Sequence, residues 1–199
     1  MGKLIVVNGS PRASKSNSLK YITELKKYIK EDVFIYNIIG FKIDEFIKEI
    51  ESDSEIIFVF PLYADGLPSL VISFFNDLKN YKFQNQKVHL IINCGFLEWQ
   101  QNLVAKEIFK LFCDNLNLNF RCSLLIGSGE AIMETYYKFL VKWQLKGFAN
   151  DIAINKNKMR KVNMPLSKKN FIKASTKYWL EYGKKNGITK EQMESEEIY

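Results

Sequence analysis

Apolar residues run along this chain in two rhythms. Short continuous runs are rich in β-branched and aromatic side chains: KLIVVN (Lys3 to Asn8), VFIYN (Val33 to Asn37), EIIFVF (Glu55 to Phe60), KVHLIIN (Lys87 to Asn93) and FRCSLLIG (Phe120 to Gly127). Runs of this length and composition predict strands, and the first reads as fully buried. Between them, apolar positions recur at helical spacing: Leu19, Ile22, Leu25 and Ile29; then Ile43, Phe46, Ile47 and Ile50. Val71, Phe74, Phe75 and Leu78 follow Pro68, which suits a first helical turn. Val104, Ile108, Leu111 and Phe112 mark a helix from about Gln100 to Leu116, and a long helix is expected from about Ile132 to Asp151.

Strands that alternate with helices and are apolar throughout call for an α/β fold with a parallel sheet covered on both sides. Right-handed crossovers and five strands fit a doubly wound sheet in the order 2-1-3-4-5. The alternation stops after Asn155. A basic connector, Pro165 and an amphipathic stretch with Phe171, Ile172, Tyr178 and Trp179 follow. Residues 1–154 are therefore expected to form the α/β domain, and residues 155–199 a basic C-terminal helical appendage packed on or beside it.

Composition narrows the function classes. The 199 residues are 47% hydrophobic, enough for a sizeable core. No apolar run is long enough to span a bilayer, and the N-terminus enters a strand directly, without a leader pattern, so a cytoplasmic protein is expected. Cys94, Cys113 and Cys122 are odd in number and lack CxxC spacing, so neither a disulfide framework nor a metal site is expected. The formal charge of +7 attracts anions in general. Its basic residues concentrate between Lys156 and Lys185, but no nucleic-acid-reading motif accompanies them, and nucleic acid is not expected as a partner.

Two loops carry the candidate chemistry. VVNGSPRASKSNSLKYI (Val6 to Ile22) links the first strand to the first helix. Gly9 permits a sharp turn. Ser10, Ser14, Ser16 and Ser18 offer hydroxyls, Asn17 an amide, and Arg12 a guanidinium that suits phosphate. Ser16 or Ser18 would cap the helix, whose N-terminus favours an anion. The same residues also suit a capped helix behind a polar surface loop. Neither the Walker pattern nor G-x-G-x-x-G is present. PLYADGLPS (Pro61 to Ser69) follows the third strand, across the switch point of the sheet. Tyr63 offers a flat aromatic edge, and Asp65 and Gly66 a turn with amides for a polar heterocycle. Equally, Tyr63 suits a surface cap and Asp65 a self-bonded turn. A phosphate in the first loop and a flat ring against the second match the shape of flavin mononucleotide (FMN).

GSPR followed by SNS, then PLYADGLPS, then NCGF after the fourth strand resembles the flavodoxin-like NAD(P)H-dependent FMN reductases and quinone reductases. The resemblance runs from Met1 to Glu130. It implies a flavodoxin-like fold and an enzyme that passes hydride from NADH or NADPH through FMN to a small acceptor such as a quinone, a free flavin or another electrophile. It implies that Ser10, Arg12, Ser16, Asn17 and Ser18 hold the FMN phosphate. Pro61, Leu62, Tyr63, Ala64, Asp65 and Gly66 would line the ring, and Asn93, Cys94, Gly95 and Phe96 would contact its other edge. Such proteins are commonly homodimers, and the apolar helices after strands three and four, with Phe171, Tyr178, Trp179 and Tyr182, offer surface for pairing. A non-catalytic flavin sensor or electron carrier is the rival class.

Other residues are set aside. Cys94 has no basic neighbour in sequence to lower its pKa and reads as a small packing residue. His89, the only histidine, sits inside a strand and has no partners for a hydrolytic triad. GSGEA (Gly127 to Ala131) reads either as a turn facing the ligand or as a cap before Ile132. Glu98 and Trp99 either roof the pocket or start the next helix.

Overall fold

The computed structural model describes residues 3–40 and 42–195, without the side chain of Ser14. Met1, where the family resemblance begins, and the Ser14 hydroxyl lie outside the described residues. The strands are β1 (Leu4–Asn8), β2 (Val33–Asn37), β3 (Glu55–Pro61), β4 (Lys87–Asn93), β5 (Asn119–Ile126) and β6 (Met159–Val162). All pair in parallel, in the order β2-β1-β3-β4-β5-β6. The helices are α1 (Asn17–Leu25), α2 (Ile43–Lys48), α3 (Ser69–Leu78), α4 (Leu103–Asn115), α5 (Lys138–Ala153), α6 (Lys168–Lys185) and α7 (Lys190–Glu194).

The sheet has six strands where the sequence pattern gives five, and the sixth corrects the reading of residues 159–162 as connector. MRKV is a short, charged edge strand, which lacks the apolar run of a central one. It is held by a side chain as well as by its ladder. Arg160 Nε donates to the buried Asp151 carboxylate on α5 at 2.6 Å, and Nη1 reaches Gln144 Oε1 at 3.3 Å. Gly147 makes room for this pair, because a Cβ there would overlap the guanidinium. Helix ends also differ from the spacing. α1 stops at Leu25, a 3₁₀ turn covers Lys26–Tyr28, and Ile29 is extended. Ile132–Glu134 is a separate 3₁₀ turn before α5.

The chain divides between Met164 and Pro165 into two compact units. In the first, alternate strand residues supply the two faces of the sheet. Ile5, Val7, Phe58, Phe60, Leu90 and Ile92 join Phe74, Phe75 and Phe109 in one cluster under α2, α3 and α4. Phe58 lies 5.1 Å from Phe75 and 5.3 Å from Phe109, ring centre to ring centre. The intervening residues face α1 and α5, where Tyr21, Ile22, Leu145 and Phe148 are buried. In the second unit, Gly183 of α6 is buried against Met193 of α7. No described helix is long and apolar enough to cross a membrane.

His89 faces the α5 side, buried 6.3 Å from the Phe148 ring. Its Nε2 lies 3.0 Å from Glu55 Oε2, and its Nδ1 accepts the Cys122 amide at 3.3 Å. Glu55 opens β3, at the opposite end of the strand from Pro61, so this group belongs to the packing of the sheet.

Candidate functional site

In a doubly wound sheet the strands flanking the switch point end beside a crevice. Here β1 runs to α1 and β2 on one side while β3 lies on the other. The register puts Asn8 beside Val59, and Pro61 beside Asn93. The loops after β1, β3, β4 and β5 therefore rise around one place, and an open cleft lies there.

Its first wall is the loop after β1. Ser10, Arg12, Ser16, Asn17 and Ser18 all line the cleft. Asn8 braces the loop: its Nδ2 reaches Ala13 O at 3.3 Å and Asn37 Oδ1 at 2.9 Å, and its Oδ1 accepts the Ser10 amide at 3.2 Å. Ser16 caps α1, accepting the Leu19 amide at 3.1 Å and donating to Ala13 O at 2.6 Å. Its hydroxyl is thus spent on the fold, while helix geometry leaves the other first-turn amides open. Ser18 is different. It is 1% exposed, and its Oγ has no hydrogen-bond partner. A buried hydroxyl left unpaired is costly, and this one stands on the cleft wall. Arg12 is exposed, and no described side chain pairs with its guanidinium.

The second wall comes from β3 and β4. Pro61, Leu62 and Tyr63 line it opposite Asn93, Cys94 and Gly95. Leu62 N donates to Asn93 O at 2.7 Å, tying the two loops together. Tyr63 and Gly66 exchange backbone hydrogen bonds at 3.1 and 2.9 Å around Ala64 and Asp65, whose φ values are 45° and 59°. Positive φ at both central positions is the tight hairpin turn usually given to Asn-Gly. Gly66 therefore spends its amide inside the turn, leaving those of Ala64 and Asp65. Ala64, Asp65, Gly66 and Phe96 stand outside the cleft lining.

Cys94 is pinned. Asn102 Nδ2 donates to its Sγ at 3.4 Å, and the Sγ lies 3.7 Å from Glu98 O and 3.9 Å from Phe96 O. Burial pushes its thiol up to about 11, so the nucleophilic thiolate is scarce at neutral pH. Trp99 packs against the core and lies under Lys161, with the Nζ 4.6 Å from its ring centre, and neither Glu98 nor Trp99 lines the cleft.

The loop after β5 closes the site. Glu130 lines the cleft, while Ala131 caps the 3₁₀ turn that starts at Ile132, so GSGEA serves as the cap before Ile132 and also brings one side chain to the cleft. Ser128 adopts φ 55° between two glycines, and its amide donates to Phe96 O. A Cβ on Gly127 would come within 2.5 Å of Leu97 O, so glycine lets the loops after β4 and β5 interlock. Tyr21 on α1 is fully buried and donates its hydroxyl to Gly129 O at 2.7 Å. Burial, then the nearby Cys94 and Glu130, raise its phenol pKa far above the usual value. The sequence offered little sign of Tyr21, since it reads as one more apolar position on α1. Among the described residues no group of His, Cys, Asp and Glu is arranged to hold a metal ion.

No protein-family model matches the chain, and no curated protein matches it in sequence. Solved structures share its fold. A flavodoxin from Streptococcus pneumoniae is 12% identical over 76% of this chain and 99% of its own, with a TM-score of 0.58. An FMN-dependent NADH-azoreductase from Bacillus anthracis, solved in complex with FMN, is 12% identical over 77% of this chain and 100% of its own, at 0.59. An NADPH-quinone reductase from P. pentosaceus is 14% identical over 77% and 98%, at 0.57. At these identities the likeness is one of fold, and the fold is flavodoxin-like.

Proposed function

We propose that the protein is an FMN-dependent NAD(P)H oxidoreductase that reduces a small acceptor such as a quinone, a free flavin or another electrophile. The observation that carries this reading is the cleft wall after β1, where the buried, unpartnered Ser18 hydroxyl stands with Ser10 and Arg12 at the N-terminus of α1. Such a set suits a phosphate. That the azoreductase of the same fold holds FMN supports the choice of cofactor.

When bound, FMN supplies the acceptance and donation of hydride. The chain's own residues bind and orient. Arg12, Ser10 and Ser18 would hold the phosphate, with the Asn17 side chain beside them, and Ser16 would keep α1 aimed at it. Pro61, Leu62 and Tyr63 would line one side of the ring, with the Ala64 and Asp65 amides at the turn. Asn93, Cys94 and Gly95 would border its other edge, and Phe96 would stand at the mouth. Cys94 serves there as a packed, protonated thiol. No side chain is required as a general acid or base.

We also infer a homodimer. Ile72 on α3 and Val104, Ile108 and Leu111 on α4 are exposed, and a twofold contact would cover them. A monomer in sedimentation with flavin bound would count against it. The cofactor assignment is tested by releasing the bound flavin from purified protein and separating it by chromatography. FMN is expected, and FAD as the main product would refute the reading.

A further inference from the structure

Helix α6 carries six lysines against one glutamate along 18 residues, about 27 Å. The periodicity of the helix sorts them. Phe171, Ile172, Tyr178, Trp179 and Tyr182 share one face, while Lys173, Lys177 and Lys184 occupy the opposite one. Lys168, Lys169 and Lys185 sit at the two ends, bordering the aromatic face. Tyr178, Trp179 and Tyr182 are 52%, 44% and 52% exposed. Their rings touch one another, with centres 5.3, 5.8 and 6.3 Å apart, and so form one surface.

We propose that this face of α6 docks on an anionic lipid surface. A lysine-rich helix of low mean hydropathy with Trp, Tyr and Phe on one side is the form that lies in the plane of a bilayer interface. Trp and Tyr favour the headgroup level, where an apolar ring and a polar edge are both satisfied. The excess of lysine complements anionic headgroups, and the bordering lysines have the reach to meet them. A second copy is a poorer occupant, because it would bring a second lysine-rich helix alongside the first. Nucleic acid is poorer too, because stacking aromatics and phosphate-binding lysines would have to converge on one side, and here Lys173, Lys177 and Lys184 point away while the bordering lysines sit only at the two ends. No span is involved; the contact is peripheral.

The test is co-sedimentation of the full chain with vesicles. Binding is expected to phosphatidylcholine–phosphatidylglycerol vesicles, to weaken as salt is added, and to be much weaker on phosphatidylcholine alone. Lys168→Gln, Lys169→Gln and Lys185→Gln should each lower partitioning about fivefold. Tyr178→Ala with Trp179→Ala should abolish the part that resists salt. Lys26→Gln with Lys30→Gln, on exposed lysines of the first unit, should leave binding unchanged. Failure to bind phosphatidylglycerol vesicles would overturn the proposal, as would an equal loss from the Lys26 and Lys30 changes, which would reveal attraction by net charge alone. Loss of self-association in the aromatic variant, with vesicle binding intact, would assign the face to a second copy. Loss of binding to single-stranded RNA in that variant, with vesicle binding intact, would assign it to nucleic acid.

Discussion

The Tyr21 hydroxyl donates to the Gly129 carbonyl at 2.7 Å, joining the helix that starts at the first loop to the loop that ends the site. The bond is fully buried, so Tyr21→Phe leaves a carbonyl without a partner. A cost of about 1–3 kcal/mol in stability is expected. The loop carrying Glu130 should loosen as well, and FMN affinity should fall with it. Thermal melts and flavin titration of the variant check both. A variant as stable as the parent would show that the carbonyl finds another donor.

Ser18 makes the opposite prediction. Its hydroxyl is buried without a partner, so Ser18→Ala should leave the flavin-free protein as stable or more stable, by up to about 1–3 kcal/mol. FMN binding should nevertheless weaken, by about 0.5–1.5 kcal/mol for one lost hydrogen bond. Melting and titration of the same sample separate the two effects. Lower stability with unchanged FMN affinity would mean that the hydroxyl serves the fold.

Arg12 is predicted to read the phosphate. Arg12→Ala should cost about 1.5–3 kcal/mol in FMN binding, the range for a charge-assisted bond. Riboflavin has no phosphate to lose, and its binding should change far less. Equal losses for both ligands would remove Arg12 from the phosphate site.

The His89–Glu55 pair sets an acid limit. The neutral ring, protonated on Nε2, satisfies both Glu55 and the Cys122 amide, and protonating Nδ1 breaks the second bond. Burial holds the His89 pKa below 6.5, while the hydrogen bonds from His89 and Lys87 outweigh burial and bring Glu55 below 4.5. Both are depressed on folding, so the unfolded chain takes up protons first as pH falls. Stability should be complete above about pH 6.5, decline below it, and fall again in the carboxylate range. His89→Gln should remove the first decline and keep the second. A wild-type melting temperature that stays flat from about pH 7 to pH 5 would contradict the assignment.

The runs that become β1, β3, β4 and β5 are apolar because each is buried on both faces, and that made the sheet legible. β6 was not, because an edge strand satisfied by Asp151 and one ladder needs no apolar run. The first loop stood out through its density of hydroxyls. Its division of labour did not: Ser16 caps and Ser18 stands free, a difference set by helix phase. The Tyr63–Gly66 turn was visible, yet its positive φ values fall on Ala64 and Asp65, where the sequence put the turn at Asp65 and Gly66. Tyr21 and Glu130 join the site through contacts more than a hundred residues apart along the chain, and local pattern carries no trace of such contacts.

The most direct test of the central claim is to load the purified protein with FMN without oxygen and add NADH or NADPH. The account predicts that the flavin's visible absorbance bleaches with at least one of the two, and that a quinone then restores it. Protein that retains FMN but stays oxidised with both nucleotides would contradict the enzyme reading and point to a flavin-binding protein that does not turn over.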